Sequence, residues 1–337
     1  MVIGDWLLVN WFKPLTNLPI PNLPITNNYK TMKINTYGNG ETGKLEPFIA
    51  NENLNKPSLY FPSEGLKAAV NVSLALGQPL LLTGEPGTGK TQLAFHVGHF
   101  FGLGEPLVFN AQTTSTATDL FYRYDALAHF QFSQNAKIDP LSITPAERLE
   151  MVKPFVHFNA LGQAINEKKR VVVLIDEIDK APRDFPNDLL AAIEKLSFKV
   201  PEFNNEEFKS EPAARPIIIL TSNSEKNLPD AFLRRVIYFH IDFPEKAELI
   251  RILTLKTGIR TDKATALVTH FQKIRDLGLK KKPATAEMLA WAVLLTSIGF
   301  PVEKLSGKLS TSEKVQLDTS YSVLAKTQED LKALKAI

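Results

Sequence analysis

Residues 80–91 read Leu-Leu-Leu-Thr-Gly-Glu-Pro-Gly-Thr-Gly-Lys-Thr, and no other stretch constrains the chain as strongly. An apolar run leads into Gly84, Glu85, Pro86, Gly87, Thr88, Gly89, Lys90 and Thr91, which satisfy G-x-x-x-x-G-K-[ST] at every fixed position. The three glycines let the backbone take positive φ and approach an anion without a Cβ in the way. Successive N–H groups and the helix start that follows then form an anion nest. In such a loop the lysine reaches the β- and γ-phosphates, and the Thr91 hydroxyl ligates Mg²⁺. The phosphate loop therefore predicts a strand before it, a helix after it and a nucleotide between them.

A second apolar run, Val171-Val172-Val173-Leu174-Ile175, ends in Asp176-Glu177. Continuous apolar sequence of this length reads as a central parallel strand buried on both faces. It delivers two carboxylates where a nucleotide site needs them. Asp176 holds Mg²⁺, mostly through water, and Glu177 polarises the attacking water. Pro216–Thr221 forms another apolar strand and ends in Thr221-Ser222-Asn223. If that strand lies between the first and third, Asn223 sits near the γ-phosphate. Leu233-Arg234-Arg235 immediately precedes a fifth strand, Val236–Ile241.

The remaining elements alternate around these strands. Ser63 caps a helix over Glu64–Leu76, closed by Gly77. Further helices are expected over Lys90–Phe101, Pro145–Val152, Ala160–Glu167 and Phe185–Leu196, with strand two over Pro106–Asn110. Strands separated by helices predict an α/β fold with a five-stranded parallel sheet. Phe198-Lys199-Val200 and the segment after Glu202 read as a hairpin turning at Asn204-Asn205. After Pro244 the strand signals stop, and helical patterns over about 245–256, 262–276 and 285–298 predict a smaller all-α lid. Leu324, Leu331 and Leu334 predict a last amphipathic helix from about Ser320.

The domain division that follows is a flexible N-terminal extension over 1–45, a nucleotide-binding domain over 46–243, a helical lid over 244–302 and a helical tail over 303–337. The extension is rich in Asn, Pro and Thr, and the change in composition makes Met32 an alternative start. Trp6–Phe12 is apolar but short, interrupted by Asn10 and without a basic flank, so it does not read as a signal peptide. No run approaches the roughly 18 apolar residues of a membrane span. A formal charge of +3 lacks the concentrated basic stripe of a dedicated nucleic-acid binder. The absence of cysteine excludes disulfides and thiolate metal sites and fits a reducing cytoplasm.

Gly84–Thr91, Ile175-Asp176-Glu177, Thr221-Ser222-Asn223 and Pro229–Arg235 together resemble an AAA+ ATPase, and the details resemble its MoxR-like branch. Members of that branch carry an insertion after the second strand and a hairpin before the sensor strand. The long segment 112–160 and the segment 198–215 fall at those two places. The resemblance implies that Asn223 acts as sensor 1. It also implies that Arg235, or its neighbour Arg234, is an arginine finger completing the next subunit's site. That in turn implies a homo-oligomeric ring, usually a hexamer, with ATP and Mg²⁺ as ligands and a protein as its partner. In this branch the partner is often a von Willebrand factor A domain protein. Where the resemblance implies a sensor 2 arginine at the start of the third lid helix, this chain has Glu287. Two other functions fit the same motifs: a nucleic-acid motor, and a nucleotide-gated switch of low turnover. Tyr60-Phe61 is placed either against adenine or in the core, and Tyr122 and Tyr124 either against a partner or within the insertion. The six histidines show no metal-ligand spacing, and His96 and His99 are read as packing residues.

Overall fold

The computed structural model describes residues 52–135, 144–225 and 228–337. The expected extension 1–45, including Met32, lies outside the described residues, as does 136–143 within the long insertion. Nine strands are described: β1 (Leu80–Gly84), β2 (Leu107–Asn110), β3 (Tyr122–Tyr124), β4 (Val156–Phe158), β5 (Val172–Asp176), β6 (Ser197–Val200), β7 (Glu206–Lys209), β8 (Ile217–Thr221) and β9 (Ile237–Ile241). Among the described residues the helices of the α/β part are α1 (Glu64–Leu76), α2 (Lys90–Phe100), α3 (Ala126–Asn135), α4 (Pro145–Val152), α5 (Ala160–Asn166), α6 (Phe185–Lys195) and α7 (Asp230–Leu233). Those of the helical part are α8 (Lys246–Thr257), α9 (Thr261–Arg275), α10 (Thr285–Ser297), α11 (Thr311–Ser320) and α12 (Gln328–Lys335).

Five strands form one parallel sheet in the order β2-β5-β8-β1-β9. The sequence of each strand matches its place. β1, β5 and β8 are apolar up to their last one or two residues and almost wholly buried, because helices cover both faces of a central parallel strand. The edge strands β2 and β9 instead alternate between half-buried and exposed residues. Alternate side chains feed two separate cores. Leu80, Leu82, Val172, Leu174 and Ile219 pack with Leu66 of α1 and Leu93, Ala94 and Val97 of α2. Leu81, Val173, Ile175, Ile218 and Leu220 pack on the opposite face with Leu161 of α5 and Phe185, Leu189 and Ile193 of α6.

The caps behave as their residue types require. The Ser63 hydroxyl accepts from Leu66 N, and Gly77 closes α1 in the left-handed region. The hairpin β6–β7 turns at Asn204 and Asn205, both with positive φ. Two features differ from the sequence reading. The insertion contains an antiparallel pair, β3 with β4, in the register Tyr122↔Phe158. Strands of three residues show no usable alternation, and their pairing spans more than thirty intervening positions. Phe121 stacks on Phe198 at 4.8 Å, and Phe198 on Phe208 at 5.2 Å, so the hairpin docks on the insertion through aromatic rings. Tyr122 is buried with its hydroxyl on Glu202, and the Tyr124 hydroxyl meets His129 Nδ1 at 2.6 Å. Both tyrosines thus belong to the packing of the insertion.

The C-terminal region is the second difference. The helix expected from Ser320 is broken. α11 starts earlier, at a Ser310/Glu313 capping box, and ends at Ser320; a short turn follows, and Thr327 caps α12. The break is packed, not frayed: Tyr321 is fully buried and its hydroxyl meets His270 Nε2 at 2.8 Å. Leu305, Leu317, Leu324 and Leu334 join Leu253, Phe271 and Trp291 in one apolar cluster, so the stretches expected as lid and tail share a core.

One close approach fixes the insertion on the sheet. A Cβ added at Gly162 of α5 would lie 1.8 Å from the Phe121 carbonyl oxygen, a backbone atom that cannot move aside. Gly162→Ala should therefore destabilise the protein by about 3 kcal/mol, the upper range for overpacking. Gly307→Ala, where the nearest atom is at 3.7 Å, should stay within about 0.5 kcal/mol of wild type. Urea unfolding followed by circular dichroism compares them; equal stability of the two variants contradicts the assigned contact.

Candidate nucleotide site

The strand order sets the site. β8 lies between β5 and β1, so Gly84, Asp176 and Thr221 come together at the C-terminal edge of three buried strands, the position where open α/β sheets bind ligands. A cleft of about 980 Å³ opens there between the sheet edge and the helical part. Its walls include the phosphate loop, Asp176, Glu177, Asn223, Tyr60 and Phe61.

The loop has the backbone its glycines permit. Gly84, Gly87 and Gly89 all have positive φ, and a Cβ at Gly84 would lie 2.5 Å from the Ile241 carbonyl oxygen of the neighbouring strand. Lys90, the first residue of α2, folds back over the loop. Its Nζ donates to the carbonyls of Gly84 at 2.8 Å and Glu85 at 3.0 Å, and to Asn223 Oδ1 at 3.1 Å. Burial pulls the Lys90 ammonium below its ordinary pKa, against the opposing pull of Asp176, Asp179 and Glu177. A desolvated cation ringed by carbonyls is a good receptor for a phosphate, which restores the charge balance that burial removed.

Thr91 Oγ1 donates to Asp176 at 3.1 and 3.2 Å to the two carboxylate oxygens. The pair presents hard oxygen donors from adjacent elements. That set suits Mg²⁺, which takes one or two protein oxygens and fills its remaining positions with water and phosphate. Thr221, fully buried, ties the carboxylates together: its hydroxyl donates to Asp176 Oδ1 and accepts from Glu177 N at 2.9 Å. Glu177 sits in the left-handed region at φ 57° and ψ 48°. For a residue with a Cβ this costs about 1–2 kcal/mol, and the Thr221 hydrogen bond holds it there. The Glu177 carboxylate pairs with Lys180 Nζ at 2.5 Å, and Asn223 N donates to Asp179 Oδ1 at 3.2 Å.

Lys90, Thr91, Asp176, Glu177 and Asn223 thus converge on one cleft. Arg234 and Arg235 do not. They precede β9, and Ile237 pairs with Leu80 at the start of β1, so they lie at the N-terminal edge of the sheet. Four residues of strand, roughly 13 Å at about 3.3 Å per residue, separate that edge from Gly84. Arg235 is largely exposed, with only a loose 3.7 Å contact to Glu194, beside a hollow of about 300 Å³ shared with Arg215 and Arg234. Tyr60 Cε2 lies 3.0 Å from the Cβ position of Gly89, and the Arg251 guanidinium stacks 3.5 Å from the centre of the Phe61 ring. Both aromatics therefore line the cleft while packing. His96 Nδ1 meets the Pro57 carbonyl, a packing contact.

Residues 79–236 match the family model described as the AAA domain of the dynein-related subfamily. The chain contains an AAA domain. The match spans the phosphate loop, the Asp176-Glu177 strand, Asn223 and both arginines, and the five-stranded sheet with its flanking helices is the AAA+ P-loop NTPase fold. Two structures of Thermotoga maritima RuvB variants are similar at 14% identity. One has a TM-score of 0.43 over 83% of this chain and 76% of the other; the second has 0.40 over 79% and 70%. No curated protein matches the chain. Among the described residues no helix is long and apolar enough to cross a membrane.

The sequence reading assigned nothing to three residues of this AAA domain's cleft. Thr221 was legible as part of Thr-Ser-Asn, but its double hydrogen bond depends on β8 lying beside β5. Asp179 and Lys180 follow Glu177 within one turn, and only the left-handed turn at Glu177 brings them to Asn223 and to the carboxylate. Thr221→Val keeps the shape and deletes both bonds. It should destabilise the protein by about 1–3 kcal/mol, whereas Thr221→Ser should stay near wild type. Thermal unfolding of the two variants measures this; a Val variant as stable as the Ser variant removes Thr221 from the support of Glu177.

Proposed function

We propose that this chain is a ring-forming ATPase of the MoxR-like branch that hydrolyses ATP to remodel, activate or assemble a protein partner. One observation carries the reading. The cleft gathers a phosphate loop, a carboxylate pair and Asn223, while the arginines expected at the transition state lie at the far edge of the sheet, exposed and loosely held. A second copy of the chain is the natural supplier of that charge, and a hexameric ring supplies it to every site.

In this reading each residue of the cleft has a role. The loop N–H groups and Lys90 bind the β- and γ-phosphates. Thr91 and Asp176 hold Mg²⁺, which when bound neutralises charge developing on the phosphate oxygens. Glu177 accepts a proton from the attacking water, which requires its carboxylate to leave Lys180. Asn223, already bonded to Lys90, orients that water or the γ-phosphate. Arg235, or Arg234, reaches the γ-phosphate of the neighbouring subunit. Residues 46–243 form the nucleotide-binding domain in this reading, 244–302 the lid and 303–337 the tail. A von Willebrand factor A domain protein is the partner class that the family likeness brings.

Lys90→Ala should lose ATP binding. Glu177→Gln should bind ATP and hydrolyse it about 10²–10⁴-fold more slowly. Arg235→Ala should bind ATP and lose about 10³–10⁵ in rate, the worth of an arginine finger elsewhere, with Arg234→Ala deciding between the two arginines. Mixing Glu177→Gln with Arg235→Ala should restore activity, because some interfaces then pair an intact Glu177 with an intact arginine. If mixed rings form and stay inactive, the trans role is lost. Stimulation of turnover by DNA, lost at high salt, would instead favour a nucleic-acid motor.

A further inference from the structure

Arg275 is the last residue of α9 and is mostly buried, at 11% side-chain exposure. Its guanidinium makes three contacts. One Nη donates to Glu85 Oε2 of the phosphate loop at 3.0 Å. The other donates to the Pro283 carbonyl, in the segment that enters α10. The plane stacks 3.5 Å from the centre of the Phe243 ring, in the connection between β9 and α8. Arg275 therefore touches the loop, the β9–α8 connection and the segment entering α10 at once. The same surfaces are closely apposed: a Cβ at Gly87 would lie 2.7 Å from Ala284 Cβ.

Glu287, one turn into α10, cannot supply a cation here, and its carboxylate is already committed. Oε2 accepts from Ala284 N at 3.0 Å, and Oε1 lies 3.7 Å from Lys326. Glu85 differs in that its two ends do separate work. Its carboxylate takes Arg275, while its backbone carbonyl accepts from Lys90 Nζ at 3.0 Å and from Thr88 Oγ1 at 2.9 Å. Anchoring the side chain thus anchors the peptide that orients Lys90. The position of Arg275 at a helix C-terminus, where the backbone is partly negative, further favours its charge there.

We propose that Arg275 is a positioning residue that acts through Glu85: the lid arginine sets the phosphate loop, and thereby Lys90, for nucleotide, and the lid and loop move as one unit. The proposal rests on reading the cleft as a nucleotide site. Arg275 touches no phosphate in this scheme, so its loss should weaken ground-state binding and leave the chemical step intact.

The test uses the full chain with a fluorescent ATP analogue for Kd and steady-state turnover for KM and kcat. Glu85→Ala and Arg275→Ala should each weaken binding by about tenfold, and Arg275→Ala should raise KM to the same degree with kcat at saturation within about threefold of wild type. The double variant should be no worse than the weaker single variant, because residues acting through one contact are not additive. Should Arg275→Ala fail to fold, Glu85→Ala and Glu85→Gln still remove the loop side of the contact alone. Hydrogen–deuterium exchange without nucleotide gives an independent reading: Glu85→Ala should speed exchange several-fold over 275–288. Additive losses in the double variant, a Kd within twofold of wild type in the single variants, or unchanged exchange over 275–288 would overturn the proposal. Wild-type ATP affinity in Lys90→Ala would instead sink the nucleotide reading, and the exchange experiment would still judge the contact.

Discussion

Everything in the cleft depends on β8 being inserted between β5 and β1. That order places the ends of three buried strands side by side. Lys90 can then reach Asn223, and Thr221 can reach both carboxylate residues. The strands can hold this order because they are apolar on both faces and each face has its own core. A side chain at the end of such a strand inherits the rigidity of the sheet, which is what a site requiring fixed distances needs.

The cleft stores unfavourable elements that the surrounding sheet holds in place. Lys90 is desolvated among carbonyls, and Glu177 occupies a left-handed backbone conformation. Neither would persist in an isolated peptide. Both are over-determined here, Lys90 by the carbonyls of its own loop and Asn223, and Glu177 by the Thr221 hydroxyl of β8, a pattern that recurs where backbone strain coincides with function. The Glu177–Lys180 pair is different in kind. Both side chains are about half exposed, so the bond is weak and readily exchanged for another partner.

Much of this was legible beforehand, for identifiable reasons. The phosphate loop, the three apolar strands and the Ser63 and Gly77 caps are local signals, each contained within a dozen residues. The loss of strand signals after Pro244 is also local. β3 and β4 were not legible, because three-residue strands carry no period and their pairing is long-range. The C-terminal helix was misplaced because Leu324 reads as one face of a helix, whereas it packs from a turn held by buried Tyr321. Thr221, Asp179 and Lys180 carry no chemistry by type alone; a threonine becomes a bridge only when two strands stand beside it.

The sequence by itself determined the chemistry available: a glycine loop that can cradle phosphate, a lysine and a threonine at its end, two carboxylates on one strand and an asparagine on another. Those depend on residue type and short spacing, and short spacing fixes local geometry. Tertiary structure alone decided which of them share a cleft, that Arg234 and Arg235 lie at the opposite edge, and that the C-terminal helical part touches the loop through Arg275 instead of through position 287. The sequence separation of 190 positions from Glu85 to Arg275 places no limit on their distance in space. Only the packing of α9 against the β9–α8 connection and the loop brings a guanidinium to that carboxylate.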